Sequence, residues 1–410
     1  MTNSSEARPP GKPVVLVSAC SGADEGALCV VRALGRAGVD VHLLAEDPQS
    51  LALGSRYVRE SFVLPGYTRS TNATVDFLLG YARQQTQMPV LFPTADTDLL
   101  LYSANHQLLS EYFQLILPSP QLVSHLSDKS LFMDFAKHQG LPVPGTFTMD
   151  EVAASDDANP MASFPLILKP SHPGIWRESR TSSMLSGKKA LRIDSIDELR
   201  TIYPLLRELD PNIIAQEFVV GPDENHFDIH IYMDRQSNPV AYFTGQKLRL
   251  QPPYAGSGCY VKSHRLPEIA EISIEFLKAM NYTGLANINF KQHSLTGKYY
   301  LLEINPRVSQ WNILASECGI NLPLLAYLEA CGEPMEGRRN PAQKTGRYYL
   351  SFKRDWIAFR EYRKNRDWNW FGYIRSLLRP GIVYQVFARD DLKPIYREVV
   401  RVIFGRKKAG

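Results

Sequence analysis

Tyr299-Tyr300-Leu301-Leu302-Glu303-Ile304-Asn305-Pro306-Arg307 (YYLLEINPR) is the stretch on which the reading of this chain turns. Apolar and polar residues alternate up to Ile304, the period of a half-buried strand. Glu303 and Asn305 lie two apart, so both side chains leave one face. Two adjacent hard oxygen donors suit Mg²⁺, which prefers oxygen ligands. Pro306 ends the strand. Arg307 follows at the edge, where a guanidinium can hold phosphate or carboxylate in bidentate fashion. Just upstream, Leu285–Lys291 (LANINFK) reads as a partner strand, joined through His293–Gly297. A hairpin centred near Thr296 sets Asn289 opposite Glu303, and Asn289, Glu303 and Asn305 then converge as metal donors. Periodicity alone is equally compatible with an exposed polar strand face.

Towards the N-terminus, Pro13–Ser18 and Val39–Ala45 are β-branched and apolar runs separated by a small-residue turn and a helical stretch, Ala27–Gly38. This is a βαβ unit. The alternation continues through Tyr57–Leu64, Val75–Gln84, Val90–Pro93, Thr97–Leu109 and Leu115–Leu117, which predicts an open, mostly parallel sheet over 13–121. The turn at Ser18–Gly22 resembles a phosphate-binding loop but lacks GxGxxG; Glu46 and Asp47 stand where a ribose acceptor would be. A tight turn in a Rossmann-like scaffold explains it equally simply.

The pattern then changes. A helix is expected over Leu122–Gln139, stopped by Gly140-Leu141-Pro142-Val143-Pro144, then a strand Pro165–Lys169. Pro170–Gly187 is long, polar and without apolar periodicity, the signature of a functional loop. Strands at Asn212–Val220, Ile229–Met233 and Val240–Thr244, a Gly-containing loop at Tyr254–Tyr260, a helix Pro267–Met280 and a helical stretch Ile313–Cys331 complete this part. Five scattered cysteines without CxxC spacing suggest neither zinc nor a disulfide framework. Residues 1–12 read as a polar, Pro-rich flexible N-terminus without a signal-peptide core, which predicts a cytoplasmic protein.

Four motifs in order resemble the ATP-grasp superfamily of carboxylate–amine ligases, over roughly Leu16–Cys331: Ser127-Asp128-Lys129 before the Gly140–Pro144 stop; Leu168-Lys169-Pro170 before the polar loop; Gln216-Glu217-Phe218-Val219 before Gly221-Pro222-Asp223-Glu224; and Glu303-x-Asn305-Pro306-Arg307. The resemblance implies a mixed α/β and α+β architecture: a Rossmann-like preATP-grasp domain (13–121), a two-subdomain ATP-grasp fold (122–335, divided near 214/215) and a C-terminal extension (336–410). It implies ATP as cofactor, with Lys129 and Lys169 on the phosphates. Gln216, Glu217, Phe218 and Val219 would meet adenine, and Asp223 or Glu224 the ribose. The Ser171–Gly187 stretch would close over the triphosphate. Mg²⁺, with Mn²⁺ as an alternative, would sit on Asn289, Glu303 and Asn305. Arg307 would stabilise the transferring phosphoryl group. Lys247 and Arg249 form a second cationic pair, for an acyl phosphate or acidic substrate, or else a solvated turn. The family usually has Asp or Glu where this chain has Asn289, so metal binding is expected to be weaker.

The implied reaction joins a small carboxylate to an amine, and Ser55-Arg56-Tyr57 and Asp96-Thr97-Asp98 in the N-terminal domain resemble those of ligases that link amino acids, D-aspartate ligase and cell-envelope enzymes among them. A non-catalytic ATP-binding sensor and a carboxylase or carbamoyl-phosphate-type enzyme are the alternatives. A homodimer is compatible with this reading.

Composition adds one feature. The chain has 410 residues, 44% hydrophobic and 21% charged, which excludes a disordered chain or a coiled coil. Net charge is only +4, yet residues 341–410 hold 17 Lys+Arg against 6 Asp+Glu, while the other 340 hold 29 against 36. Trp356, Trp368 and Trp370 lie in the same basic segment, and Leu392–Phe404 has amphipathic spacing ahead of Arg406-Lys407-Lys408. Basic residues interleaved with aromatics suit an anionic membrane surface, with the protein peripheral at its inner face, better than a nucleic acid, which is not expected as a partner. A packed subdomain with a solvated basic face is the alternative.

Overall fold

The computed structural model describes residues 12–20, 24–153, 164–170, 190–211, 213–254 and 256–404. The first unit is a five-stranded parallel sheet of β1 (Val15–Ala19), β2 (Val41–Ala45), β3 (Val58–Val63), β4 (Val90–Phe92) and β5 (Gln114–Leu115). Its order is β3-β2-β1-β4-β5. β1 and β2 are buried along their whole length, as apolar strands covered on both faces must be. The strand order reverses between β1 and β4, the position where open α/β sheets form a crevice. There Asp98 is wholly buried and accepts from Ser18 Oγ (2.8 Å), Tyr67 OH (2.6 Å) and the Thr94 and Ala95 N–H groups.

The expected helix 122–139 is two helices, Pro120–Ser127 and Lys129–His138. Asp128 between them is extended, and its carboxylate accepts from the Leu131 N–H at 2.9 Å. A capping carboxylate satisfies an orphan donor of the second helix and so ends the first. A small antiparallel sheet follows, built of β6 (Thr146–Thr148), β7 (Leu166–Lys169), β8 (Leu191–Ile193) and β9 (Ile214–Glu217) in the order β6-β9-β7-β8. The helix Ile196–Leu209 packs against it through Leu199 and Leu206. The expected loop Ser171–Gly187 lies outside the described residues.

The third sheet has seven strands: β10 (His226–Met233), β11 (Pro239–Gln251), β12 (Ser257–Ser263), β13 (Gly284–Gln292), β14 (Tyr299–Asn305), β15 (Tyr348–Leu350) and β16 (Ile382–Tyr384). They run in the order β14-β13-β10-β11-β12-β15-β16. The β13–β14 hairpin has the expected register, with Asn289 opposite Glu303, and it turns through Gly297 at φ 69°. The helices Asn312–Glu317 and Leu322–Ala330 pack between this sheet and the first one. They share a core with Val15, Leu28 and Val31 on one side and Phe243 and Trp311 on the other.

The basic C-terminal segment differs from the expected appendage. β15 pairs antiparallel with β12 and β16 parallel with β15, so the segment extends the large sheet. It then returns to the N-terminal unit. Arg32, fully buried, donates to Asp391 Oδ2 (2.9 Å) and to the carbonyls of Gln385, Val386 and Asp391. The helix Lys393–Phe404 is amphipathic as expected: one side lies on the 48–54 turn with Ile395 packed on the core, while Tyr396 and Val399 are exposed. Arg397 donates to Pro48 O at 2.7 Å, and its Cδ would lie 2.7 Å from a Cβ placed on Gly54. Arg401 donates to Asp24. A guanidinium with no water to solvate it needs all these acceptors. Asp391→Ala, which strands Arg32, is expected to cost roughly 3–5 kcal/mol. A urea unfolding curve measures this, and Arg36→Ala at the half-exposed neighbouring pair with Asp390 should cost far less.

Candidate active site

Four adjacent strands, β14, β13, β10 and β11, bring Glu303 and Asn305, Asn287 and Asn289, Asp228, and Lys247 onto neighbouring positions. Asp228 pairs in register with Asn289 on one side and Gly245 on the other, so their side chains share a face. Lys247 Nζ lies 2.7 Å from Asp228 Oδ1 and 2.5 Å from Asn289 Oδ1, and both carboxylate and ammonium are almost wholly buried. Burial pushes the Asp228 carboxyl up to about 6 against the opposing pull of Lys247. Lys247 is therefore no solvated turn residue but the charge at the centre of the face.

This changes the expected donor set. The Asn289 oxygen faces Lys247 and its amide donates to Asn287 Oδ1 at 3.0 Å, so it is not directed at a metal with the other two. The ammonium donates to a carboxylate on one side and to an amide oxygen on the other, which replace the water it has lost. Glu303 and Asn305 remain side by side, the Asn305 amide donating to Glu303 Oε1 at 3.2 Å. They suit a Mg²⁺ that keeps waters and nucleotide phosphates as its other ligands, an arrangement that needs only one or two protein carboxylates.

Cations surround the same face. Lys169, at the end of β7, donates to Gln216 Oε1 at 2.6 Å. Lys291 stands in register beside His226, and His226 beside Lys247. The His226 imidazole is kept neutral by burial and by the charges of Lys291, Lys247 and Lys169. Lys129 opens its helix; its side chain is outside the described residues. At the segment linking the two sheets, the N–H groups of Glu217 and Phe218 donate to Gly145 O and Pro165 O, and Val219 is buried. The Phe218 ring lies 4.5 Å from Lys291 Nζ and 4.9 Å from the Arg192 guanidinium. Asp223 is committed: its Oδ2 accepts from Tyr362 OH (2.5 Å) and the Tyr254 N–H (2.8 Å). Glu224 is half-buried beside Trp368, whose indole donates to it.

The two remaining expected residues part company. Arg307 makes a bidentate pair with Asp96 of the first unit, at 2.6 and 2.9 Å, just past the end of β14. Arg249 points away from the face. It is wholly buried, pairs with Asp355 (2.7 and 2.9 Å), donates to Ser376 Oγ, and lies 4.3–5.0 Å from the rings of Tyr260, Trp368 and Tyr373. The register shifts between Lys247 and Arg249, which turns the second cation out of the first one's row. Arg249 is thus an anchor for the C-terminal helices and not a partner of Lys247.

A family model described as ATP-grasp in the biosynthetic pathway with Ter operon matches residues 251–350, which include the β13–β14 hairpin and its Glu303-x-Asn305-Pro306-Arg307 end. Over these residues the chain is similar to that ATP-grasp model. Its relatives include D-aspartate ligase of Enterococcus faecium, 26% identical over 63% of this chain and 63% of that one. The arginine-specific carbamoyl phosphate synthase large chain of Bacillus subtilis is 23% identical over 78% of this chain and 30% of that one. The chain thus spans less than two thirds of either relative. Among solved structures, L-amino acid ligase from Bacillus licheniformis superposes with a TM-score of 0.60 at 15% identity, covering 83% of this chain and 79% of that one. The biotin carboxylase domain of Hydrogenobacter thermophilus 2-oxoglutarate carboxylase, solved with MgADP and bicarbonate, gives 0.61 at 14%, covering 82% of this chain and 74% of that one. These last two likenesses are of fold.

Sequence reasoning missed four residues around this face as site residues. Asp228 and Lys291 were legible in principle, since each is a charge within an otherwise apolar alternation; Lys291 shares the strand of Asn289, and Asp228 lies on the strand paired with it. Asp96 and Tyr362 were not, because each reaches the cleft from a different unit. Lys291 is 4% exposed, and burial lowers its ammonium to about 8. Lys291→Met is expected to weaken ADP binding by about tenfold or more, the worth of a charge-assisted contact. It should leave the melting temperature unchanged or higher, because a buried charge is removed. Calorimetric titration and a thermal melt read the two effects; unchanged ADP affinity would remove Lys291 from the site.

Proposed function

We propose that this chain is an ATP- and Mg²⁺-dependent carboxylate–amine ligase. The observation that carries the reading is the polar face of the large sheet, where Lys247, Lys291, Lys169, Glu303 and Asn305 gather beside the Gln216–Val219 segment. In the proposed reaction a carboxylate oxygen attacks the γ-phosphorus of ATP, the bond to the β-phosphate oxygen breaks, and ADP leaves. The amine nitrogen then attacks the acyl carbon of the resulting acyl phosphate. Inorganic phosphate departs and the nitrogen loses a proton, leaving an amide.

Such chemistry asks for positioning and charge neutralisation more than for covalent catalysis. Lys169 and Lys247 neutralise phosphate oxygens, and Lys291 sits at the nucleobase end beside Phe218. Lys129 is assigned to the phosphates with them. With Asp223 occupied by Tyr254 and Tyr362, Glu224 is the ribose acceptor of the two. Arg307, delivered by Asp96, holds the transferring phosphoryl group. Mg²⁺, or Mn²⁺ in its place, would sit on Glu303 and Asn305 and supply Lewis-acid neutralisation of the phosphates. The names of the two ligase relatives favour amino acids or amino-acid-derived envelope precursors as substrates. The proposal extends to a cytoplasmic protein, as a homodimer, held at an anionic membrane through 341–410. No described helix is long and apolar enough to cross a membrane.

A phosphate-release screen over pairs of amino acids and other carboxylates tests the activity. Release that requires both a carboxylate and an amine supports the ligase. Release that requires bicarbonate instead favours the carbamoyl-phosphate type, a reading the synthase relatives keep in play. ATP binding without turnover favours a sensor. Glu303→Ala should lower kcat by at least about a hundredfold, the scale of removing a preorganised electrostatic contact to the transition state. Lys169→Ala should act mainly on KM for ATP. Wild-type rates in both variants would refute the site.

A further inference from the structure

The C-terminal helices hold an exposed apolar face that neither the fold nor the proposed chemistry uses. On the helix Trp370–Leu377 and the residue after it, Phe371, Ile374 and Leu378 are 75%, 50% and 77% exposed. They lie at i, i+3 and i+7, one stripe of a helix. Trp370 and Trp356 are also exposed and pack on each other at 5.9 Å between ring centroids, which joins this stripe to the helix Phe352–Lys364. There Phe352, Trp356 and Arg360 follow at i, i+4 and i+8, all exposed. Large apolar side chains so exposed in a contiguous group mark a contact surface.

The charges on the same two helices and the linker between them identify what it contacts. Lys353, Arg360, Arg363, Lys364, Arg366 and Arg375 are exposed. Arg363 lies 5.2 Å from the Trp370 ring and Arg379 4.9 Å from that of Tyr348. Against them, Glu361 and Asp367 are the exposed acids between 352 and 379; Asp355 is buried on Arg249. The partner is therefore anionic, yet it also accepts Phe, Ile and Leu side chains.

We infer that this face, Trp356, Trp370, Phe371, Ile374 and Leu378 with its ring of arginines and lysines, docks on an anionic lipid bilayer. Lipid headgroups take the cations, the acyl boundary takes the apolar side chains, and Trp is favoured at the interface between them. A second copy of the chain fits less well. A two-fold contact sets a patch against itself, so cations would face cations. A nucleic acid would take the cations and stack on the tryptophans but gives no place to Ile374 and Leu378. The face is also held rigidly. Arg249, caged by Tyr260, Trp368 and Tyr373 and paired with Asp355, fixes both helices to the large sheet. Trp368 and Tyr362 of the same segment touch Glu224 and Asp223 in the cleft. Docking would therefore set the cleft at a fixed position relative to the lipid surface. The inference depends on this face alone and stands whether or not the ligase reading holds.

Co-sedimentation of the full chain with phosphatidylglycerol–phosphatidylcholine vesicles tests it, with pure phosphatidylcholine vesicles and high salt as controls. Binding is expected to the anionic vesicles only, and to fall with salt. The double variant Phe371→Ser/Leu378→Ser and the variant Arg363→Glu/Arg375→Glu should each weaken it by about tenfold or more. All four side chains are exposed, so circular dichroism and the melting temperature should not move. Three results would overturn the inference: no binding to anionic vesicles, binding unchanged in both variants, or equal binding to neutral ones. Light scattering and titration with a single-stranded oligonucleotide complete the test. A dimer that the apolar variant dissociates, or oligonucleotide binding tighter than vesicle binding, would assign the face to those partners instead.

Discussion

One buried ammonium organises the centre of this protein. Lys247 sits between Asp228 and Asn289 on three adjacent strands of the large sheet. A charged group withdrawn from water stays charged only where opposite charge and hydrogen bonds replace the solvent. The strands β11, β10 and β13 must therefore keep one register, since a slip of one residue would turn each of these side chains to the apolar side. The same register carries Lys291 and His226 into one row, Glu303 into the next beside Asn289, and Asn305 into the one after, beside Asn287. The constraint that holds the sheet together also places the groups proposed to face the nucleotide.

The C-terminal segment is bound into this arrangement by two further buried guanidiniums. Arg249 ties the 352–377 helices to the large sheet, and Arg32 ties residues 385–391 to the first unit. Each finds its carboxylate more than a hundred residues away in sequence. The consequence reaches the cleft, where Tyr362 occupies Asp223 and Trp368 touches Glu224. The basic segment is at once a wall of the proposed nucleotide end and the bearer of an exposed apolar face.

Much of the fold was legible because it rests on short-range periodicity. Alternation along Leu285–Ile304 gave the hairpin register and the pairing of Asn289 with Glu303, and the β-branched runs near Val15 and Val41 gave a parallel sheet. What alternation cannot report is which way a polar atom turns once its face is buried. Asn289 was legible as a residue on the site face. That its oxygen faces Lys247 depends on β11 being the next strand but one. The irregular register after Lys247 has no signal in the spacing of Lys247 and Arg249, so spacing alone does not separate the site-face lysine from the anchoring arginine.

The sequence by itself determined the N-terminal parallel sheet, the hairpin with its Glu303-Asn305 edge and the concentration of positive charge beyond residue 340. Each follows from local pattern, from the steric limits of proline and glycine, or from composition. Only the tertiary structure decided which cations share a face, which carboxylate neutralises each, and that the basic segment is part of the large sheet. Charges are satisfied by whatever lies within a few ångströms in space, and neither Arg249 with Asp355 nor Arg32 with Asp391 is near in sequence.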